Sequence, residues 1–419
     1  MNTHMFDYTL YPKINHCRES ALKLLNPTDA QLEHGLRLHA DSIVCDTFGF
    51  APNCALNFEV LNTIAAQGAG VREIATLQQD QRNLRCINDR AQRREHAAAW
   101  EASGVTCVFQ QAGDIEQPAN RAIDHLGRFV YLTSVLNDIY TSAWSPDCIT
   151  DAKKHDKRCL YFSNNGVPLP EDWTDMEDQM RLLRRFFLLG YRMMHLTYNR
   201  RNMLGDGCAE TADGGLSDFG RHAVACMNDT GIIIDVAHSG LRTSLEAARI
   251  SRSPIVASHT VCSSVNAHCR AKTDEVIRAI ADSGGYIGIA AVPAFLGRSG
   301  GISALLDHID YAAKKFGAAR VAIGTDNVYV STANGGGESA GKPQPYRKSF
   351  HNFWPDGDAL FDIRWKETEM LDSLAWTNWP LFTVGLIQRG YNDEDIRRII
   401  GGNALRVALK VWADKKYWF

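Results

Sequence analysis

The sequence predicts a parallel α/β protein, and an eight-stranded (β/α)8 TIM barrel accounts for it best. Short, nearly continuous apolar runs recur eight times, as is typical of parallel strands that are covered on both faces. Amphipathic helical stretches separate these runs, and eight strand–helix repeats favour a closed barrel. A doubly wound open sheet is the alternative, but no glycine-rich phosphate turn follows the first strand.

The eight apolar runs define the predicted strands in chain order. They are SIVCDTF (42–48), GVTCVFQ (104–110), CLYFSN (159–164), RMMHLTYN (192–199), GIIIDVAHS (231–239), PIVASHT (254–260), YIGIAAV (286–292) and VAIGTD (321–326). Helices are predicted between the later strands, over 216–231, 240–251, 272–285 and 302–317. The first of these has Ser217 as its N-cap and ends at a glycine.

The segments outside the strand–helix repeats suggest three divisions of the chain. Residues 1–40 are predicted to form a helical N-terminal extension, residues 41–410 the barrel, and residues 411–419 a C-terminal tail. Within the barrel, residues 327–366 are rich in glycine, proline and aromatic residues and predict a long loop after strand eight. Long loops at that end of a barrel often cover the site.

Composition narrows the class of protein. The chain has 419 residues, 45% of them apolar and 22% charged, with a net charge of -3. This balance gives no reason to expect nucleic acid or an anionic membrane as a partner. No run approaches 18 apolar residues and the N-terminus lacks a signal-peptide core, so we expect a cytoplasmic protein. Its 11 cysteines include no Cys-x-x-Cys pair, and most of them, such as Cys45, Cys107 and Cys159 in apolar runs, are interpreted as small buried residues.

Polar residues at the C-terminal ends of the strands are the candidates for chemistry, because that end carries the site in a barrel. Strand five ends at His238, strand six at His259 and strand eight at Asp326. Imidazole is a common zinc ligand, and a nearby carboxylate can take a proton from water. Each histidine could instead be a hydrogen-bonded packing residue, and Asp326 could cap the following loop.

Two further residues could bind substrate. Arg270 lies eleven residues after His259, where its guanidinium could hold a carboxylate with two parallel hydrogen bonds. Tyr198 closes strand four and could point into the same cavity. The alternatives are a solvated loop arginine and an amphipathic tyrosine at the barrel rim.

Two segments resemble the membrane (renal) dipeptidases, a family of zinc peptidases among the amidohydrolase barrels. They are GGLSDFGRHAVACMNDTGIIIDVAHSGLRTSLEAARISRSPIVASHT and RGYNDEDIRRIIGGNALRV (389–407). The resemblance covers about residues 38–410 and is strongest in the second half. It implies metal ligation by His238 and His259, a carboxylate-binding Arg270, a proton-handling Asp326 and a homodimer.

The first half departs from the pattern that this resemblance implies. The family has a His-x-Asp metal-binding pair after strand one, where this chain has Phe48 and Phe50. Asn165 stands in place of the bridging Glu of strand three, and Tyr198 in place of a substrate-binding His; His195 is a poorer substitute for that His. Because phenylalanine cannot ligate a metal, we expect at most one zinc ion, with Asp326 or Asn165 as its third ligand, or no metal.

These residues predict an enzyme that diverges from its family. It would act on a small carboxylate-bearing substrate, through hydrolysis of an amide-like bond or through a lyase, decarboxylase or isomerase step. A zinc dipeptidase with substituted ligands and a non-catalytic small-molecule binder are the alternatives. Phe48, Phe50, Asn165 and Tyr198 would line the substrate pocket. The aromatic residues of the long loop suggest an apolar ligand, although simple packing is an alternative: Phe350, Phe353, Trp354, Phe361 and Trp365.

Overall fold

A computed structural model describes residues 11–113, 115, 119–141, 143–168, 175–335 and 350–416. Within these residues, eleven strands reproduce the eight predicted runs, one of which is split into two strands, and add two short strands. In chain order they are β1 Cys45–Gly49, β2 Cys107–Gln110, β3 Tyr140–Thr141, β4 Arg158–Leu160, β5 Ser163–Asn164, β6 Met193–His195, β7 Ile233–Asp235, β8 Ile255–Cys262, β9 Ala271–Lys272, β10 Tyr286–Ile289 and β11 Val321–Ile323.

All strand pairs are parallel, in the orders β1-β2-β4-β3 and β11-β10-β8-β7-β6-β5. The third barrel strand is broken into β4 and β5, and a bridge from Gln111 to Ser163 connects the two sheets. On the other side, the Asp326 N–H donates to the Phe48 carbonyl at 2.9 Å, next to a 2.8 Å bond from Thr325 N to Asp46 Oδ1. These contacts join strand eight to strand one, and the predicted (β/α)8 barrel is confirmed.

The helices surround this barrel. They are α1 Pro12–Leu25, α2 Asp29–Asp41, α3 Phe58–Ala66, α4 Val71–Asn88, α5 Arg90–Ser103, α6 Ala119–Val135, α7 Asp147–Lys154, α8 Met176–Leu188, α9 Asp218–Thr230, α10 Leu241–Ile250, α11 Asp274–Asp282, α12 Pro293–Leu296, α13 Ile302–Phe316, α14 Thr368–Ser373, α15 Trp379–Gln388, α16 Asp393–Arg397 and α17 Asn403–Asp414. Short 3-10 turns lie at Ala318–Arg320, Ala359–Phe361, Ile363–Lys366 and Trp376–Asn378, and a π-helical turn at Arg398–Gly402.

The helix α9 shows how local sequence sets an element's limits. Ser217 Oγ accepts a hydrogen bond from Gly220 N at 2.9 Å, which satisfies one of the free N–H groups of the first turn. Gly231 ends the helix with φ 89°, a left-handed conformation that glycine adopts without steric cost. The predicted helix over 216–231 is confirmed, as are the three that follow it, α10, α11 and α13.

Helices near both ends of the described chain pack against the rest of the structure. Helix α2 lies so close to α15 that a Cβ added to Gly35 would come within 2.8 Å of the Val384 backbone. At the other end, α17 continues to Asp414, past the predicted start of the tail at 411, because Val411 extends the buried stripe of Val407 and Ala408. The three-part division of the chain otherwise stays a prediction.

The barrel interior is filled by side chains from alternate strand positions. Cys45, Cys107 and Cys159 are buried there with Phe109 and Tyr161, so their interpretation as small packing residues is confirmed. Of the predicted loop after strand eight, residues 336–349 fall outside the described residues. Among the helices that the structure does describe, none is both long and apolar enough to cross a lipid bilayer.

Candidate functional site

A cavity of about 1070 Å³ opens over the C-terminal ends of the barrel strands. Six of the eight predicted site residues lie on its wall: Phe50, Asn165, Tyr198, His238, Arg270 and Asp326. The other two, Phe48 and His259, lie just beneath it and are 1% and 0% exposed. The C-terminal ends of strands five, six and eight therefore converge on one cavity, as predicted. The His238 imidazole lies on the cavity wall, and the His259 imidazole lies below it.

The strand-five and strand-six imidazoles meet through their Nε2 atoms. His238 Nε2 lies 2.9 Å from His259 Nε2. His238 Nδ1 donates to Asn199 Oδ1 at 2.7 Å, and His259 Nδ1 lies 2.9 Å from Ser258 Oγ. Since the amide oxygen of Asn199 only accepts, the proton of His238 sits on Nδ1 and its Nε2 carries a lone pair. Histidine ligands of metals are commonly oriented in this way, by a hydrogen bond from the ring nitrogen that does not bind the metal.

Burial sets the charge of this imidazole pair. Desolvation, followed by the positive charge of Arg270, holds the pKa of His238 and of His259 well below the usual range for histidine. Both rings are therefore neutral at physiological pH. A neutral imidazole can offer a lone pair to a metal ion or accept a proton.

His195 is a third imidazole that the sequence reasoning undervalued. Its ring centre lies 5.3 Å from those of both His238 and His259, and one nitrogen from each ring falls within 4.8 Å of the others. Strand β6 ends at His195, and the chain then turns. The alternation of side chains along a strand therefore does not extend to Tyr198 and does not force Tyr198 and His195 onto opposite faces. The signal was a histidine inside the otherwise apolar run MMHL.

The surroundings of His195 differ from those of the other two rings. Its Nδ1 donates to the Asn164 carbonyl at 2.9 Å. Its Nε2 lies 2.9 Å from Asp235 Oδ2, although neither atom has a hydrogen bond of good geometry within the described chain. Asp235 is fully buried, and its pKa is lowered below the usual range although desolvation opposes this, with the charge of His195 as the largest lowering influence.

Arg270 spans the ends of strands five and six. Its Nη1 donates to the Ala237 carbonyl at 2.9 Å, and its Nη2 to the His259 carbonyl at 3.1 Å. Nη2 also lies 3.1 Å from His238 Nε2. The remaining donor, Nε, is buried and has no partner among the described residues. Arg270 is thus a built-in part of the cavity floor and not the solvated loop residue that was the alternative.

Asp326 is a buried carboxyl group at the end of strand eight. Burial raises its pKa to about 6, against the opposing influence of Arg270 and then His195. Its φ of 54° is left-handed, a conformation that costs a non-glycine residue free energy and that positions the side chain at the barrel mouth. The cap of the following loop comes from Thr325 Oγ1, which accepts from Asn327 N at 3.2 Å, so the alternative role for Asp326 is not needed.

Strand one provides packing at the positions where the resemblance implied a metal-binding pair. The Phe48 ring stacks on His259 with centroids 3.9 Å apart and planes at 16°, and meets His195 edge-on at 5.2 Å. Phe48 is therefore a support for the imidazoles and lies out of reach of a substrate in the cavity, unlike Phe50. Asp46 is also structural, because it accepts hydrogen bonds from Thr325 N, Thr325 Oγ1 and Trp376 Nε1.

The donor set decides which metal centre could fit here. A two-ion centre does not fit, because Phe48 and Phe50 have no donor atom and Asn165 offers a neutral amide in place of a bridging carboxylate. A single ion fits the imidazole nitrogens of His238 and His259. The compact group around them includes His195, whereas Asp326, one of the two third ligands expected from sequence, is not a member of it. The other expected third ligand, Asn165, stays a prediction.

Tyr198 and Asn165 complete the cavity wall from the first half of the barrel. The Tyr198 ring stacks on the His238 imidazole at 4.2 Å between centroids and so confines one face of it, while Asn199 binds its edge through Nδ1. Asn165 is 7% exposed, and its Oδ1 has no hydrogen-bond partner among the described residues.

The loop after strand eight forms an aromatic wall over the cavity. Four of its five predicted aromatic residues line the cavity, and Trp365 does not. The same rings pack on one another, as in the 6.0 Å contact of Phe350 with Trp354, which itself stacks on Phe295 at 5.7 Å. Packing and exposure to a ligand are therefore both present.

Comparison with known proteins identifies the family. A sequence model of the membrane dipeptidases (peptidase family M19) matches residues 100–340. The dipeptidase verJ of Clonostachys rogersoniana is 26% identical over 230 residues, and the dipeptidase aclJ of Aspergillus oryzae is 26% identical over 232. Each match covers 54% of this chain, but only 50% of verJ and 46% of aclJ. The match thus spans about half the length of these curated relatives.

Solved structures extend the likeness over most of the chain. An amidohydrolase from Pseudomonas aeruginosa superposes with a TM-score of 0.67 and 25% identity, covering 90% of this chain and 99% of that one. The probable dipeptidase PvdM from the same organism gives a TM-score of 0.64 at 20% identity, covering 92% and 99%. The resemblance seen in the sequence is confirmed, and the chain belongs to the membrane dipeptidase family, peptidase family M19.

Proposed function

We propose that this protein is a hydrolase that cleaves an amide bond in a small substrate bearing a carboxylate, with at most one zinc ion. The observation that carries this proposal is the pair of neutral imidazoles, His238 and His259, whose Nε2 atoms lie 2.9 Å apart beside a cavity that also contains Asp326 and Arg270. Family membership supports a hydrolytic reaction over the lyase, decarboxylase and isomerase alternatives.

His238 and His259 would hold the ion, with His195 as the nearest further nitrogen. A zinc ion bound there would supply Lewis-acid polarisation of the reacting carbonyl. The protein's own contribution is to fix the two rings, through Asn199 and Ser258 on one side and the stacked rings of Phe48 and Tyr198 on the other.

Asp326 is the proposed proton carrier. With a pKa near 6 it is mostly ionised at neutral pH, yet it holds a proton far more readily than an ordinary aspartate. As a carboxylate it takes a proton from the attacking water while the water oxygen bonds to the amide carbon. As a carboxylic acid it then returns that proton to the amide nitrogen as the C–N bond breaks. Arg270 orients the substrate by pairing with its carboxylate.

One observation favours a metal-free variant of this site. Arg270 Nη2, at 3.1 Å, and a proton on His259 Nε2 can both donate to the lone pair of His238 Nε2. Ser258 Oγ–H can then donate to His259 Nδ1, which completes a hydrogen-bond network without any ion. Such a site would serve an acid–base enzyme or a binder of small carboxylates.

Elemental analysis of the purified chain, combined with an amide-hydrolysis assay, tests the proposal. We expect about one zinc per chain, lost in His238→Ala and in His259→Ala together with the hydrolysis of carboxylate-bearing amides. His222→Ala, which alters an exposed histidine of α9, is the matched control and should change neither quantity. Two ions per chain would contradict the interpretation that Phe48 and Phe50 exclude a second metal ion. No ion, with activity that resists chelators, would select the metal-free variant.

A further inference from the structure

We infer that the site takes N-acylated amino acids with an aromatic acyl group and rejects free dipeptides. This inference rests on the proposed function, whose amide substrate it specifies. It draws on three features of the cavity: the signs of the charges on its wall, one unpartnered buried acceptor, and the position of the aromatic side chains.

The charges on the wall disfavour an ammonium group. Three cationic side chains, Arg121, Arg270 and Lys366, line the described part of the cavity, and Asp326 is the single carboxyl group there. A dipeptide carries an α-ammonium as well as a carboxylate, and the ammonium needs an anionic partner when it leaves water. Asp326 is already required for proton transfer and lies within the influence of Arg270. An acyl group in place of the aminoacyl group removes this cost and keeps the carboxylate.

Two buried atoms match the remaining polar groups of such a substrate. Arg270 Nε is a donor without a partner in the described chain and can contribute to binding the carboxylate. Asn165 Oδ1 is an acceptor without a partner, on a side chain that is 7% exposed and lines the cavity. An unpaired buried acceptor is costly, and a substrate N–H would satisfy it. The amide N–H of an N-acylated amino acid is the donor nearest to its carboxylate.

The aromatic wall specifies the acyl group. Phe353, Trp354 and Phe361 of the loop after strand eight face the cavity together with Phe50 and Phe295. The cavity volume of about 1070 Å³ exceeds what a small acyl group would fill and matches the upper end of small-molecule sites, about 300 to 1000 Å³. An aryl group placed here would gain stacking contacts and displace water from apolar surface.

Four probes that differ by one group each test the inference on the full-length protein by calorimetric titration. The parent probe is 3-phenylpropanoylglycine. Phenylalanylglycine adds only the ammonium, the N-methyl derivative of the parent removes only the N–H, and propanoylglycine removes only the phenyl ring. We expect the parent to bind about tenfold tighter than each of the other three, since each lost or opposed contact corresponds to about one order of magnitude.

Variants assign each preference to its residue. Asn165→Leu should abolish the gap between the parent and its N-methyl derivative and leave the phenyl preference in place. Phe361→Ala should reduce the phenyl preference alone. Trp365→Phe, in the same loop but outside the cavity wall, is the matched control and should change neither. The four probes also test the inference on the unaltered protein. A variant that fails to fold therefore leaves that test intact.

The outcomes separate this inference from the proposed function. Hydrolysis or tighter binding of phenylalanylglycine relative to the parent would overturn the inference and leave amide hydrolysis standing. The expected order of binding without hydrolysis of any probe would overturn the proposed function and support the ligand class. Equal binding of all four probes, or binding of none, would overturn the inference.

Discussion

The two halves of the barrel end in different kinds of side chain. Strands one to four present Phe48, Phe50, Asn165 and Tyr198 at the active end, which are aromatic rings and a neutral amide. Strands five to eight present His238, His259 and Asp326, with Arg270 in the loop that follows strand six. The titratable groups assigned to the chemistry thus come from the second half, apart from His195 at the end of strand four, which joins the imidazole group.

Aromatic side chains of the first half pack against the imidazoles of the second half. Phe48 supports the His259 ring from below, and Tyr198 supports the His238 ring from the side. Asp46, which precedes Phe48 and Phe50, also has a structural role through three hydrogen bonds to strand eight and to Trp376. Side chains of the first half thus hold the imidazoles of the second half in place.

The largest effect on activity is expected from a substitution of Asp326. If the second half carries the chemistry, Asp326→Asn should lower kcat by about a hundredfold to ten-thousandfold, because the amide can neither take nor return the proton. Steady-state kinetics on an N-acylated amino acid, with binding checked by calorimetry, would measure this. The control is Asp356→Asn, an exposed carboxyl in the same long loop. A full-rate Asp326→Asn variant would remove Asp326 from the mechanism.

Stability should distinguish the two phenylalanines of the first half. Phe48→Ala should lower the free energy of unfolding by about 3 to 5 kcal/mol, since it empties a fully buried site beneath two imidazoles. Phe50→Ala should cost less, because Phe50 lies on the cavity wall and water can replace its ring. Denaturant unfolding of the two variants makes the comparison. Equal losses would mean that Phe48 is no more a support than Phe50.

Arg270→Lys tests whether the second half also binds the substrate carboxylate. Lysine keeps the charge but loses the Nε–H group, which has no partner among the described residues, and the planar group that spans the Ala237 and His259 carbonyls. We expect KM for a carboxylate-bearing substrate to rise about tenfold with a smaller change in kcat. A substrate analogue with a carboxamide in place of the carboxylate is the control. An equal KM increase for both substrates would argue that Arg270 acts only through the carbonyls that it braces.

The smallest expected effect is a displaced pH profile. Asp326 must be ionised to accept a proton, and burial raises its pKa to about 6. The value of kcat/KM should therefore be level above this pH and fall about tenfold per unit below it. A midpoint near 4, the ordinary range for aspartate, would show that Asp326 is solvated during turnover or is not the group that limits the rate.

Much of the fold could be predicted from local patterns in the sequence. Eight apolar runs and the caps of α9 are local signals, because strand burial and helix ends depend on neighbouring residues in the chain. The absence of ligands in strand one could also be read directly, since no packing can make phenylalanine a metal ligand. The helix α17, whose buried stripe runs past the predicted boundary at 410, shows how a local prediction loses accuracy at an element's end.

The assembly of the site could not be predicted in the same way, because it depends on contacts between distant segments of the chain. The stacking of Phe48 on His259, the entry of His195 into the imidazole group and the contact of Arg270 with His238 join segments that lie far apart in sequence. Such contacts depend on the direction of each side chain after its strand ends, where the alternation of strand positions no longer applies. The lack of a hydrogen-bond partner for Asn165 Oδ1 also depends on the tertiary structure, because it is set by all the residues that surround this atom.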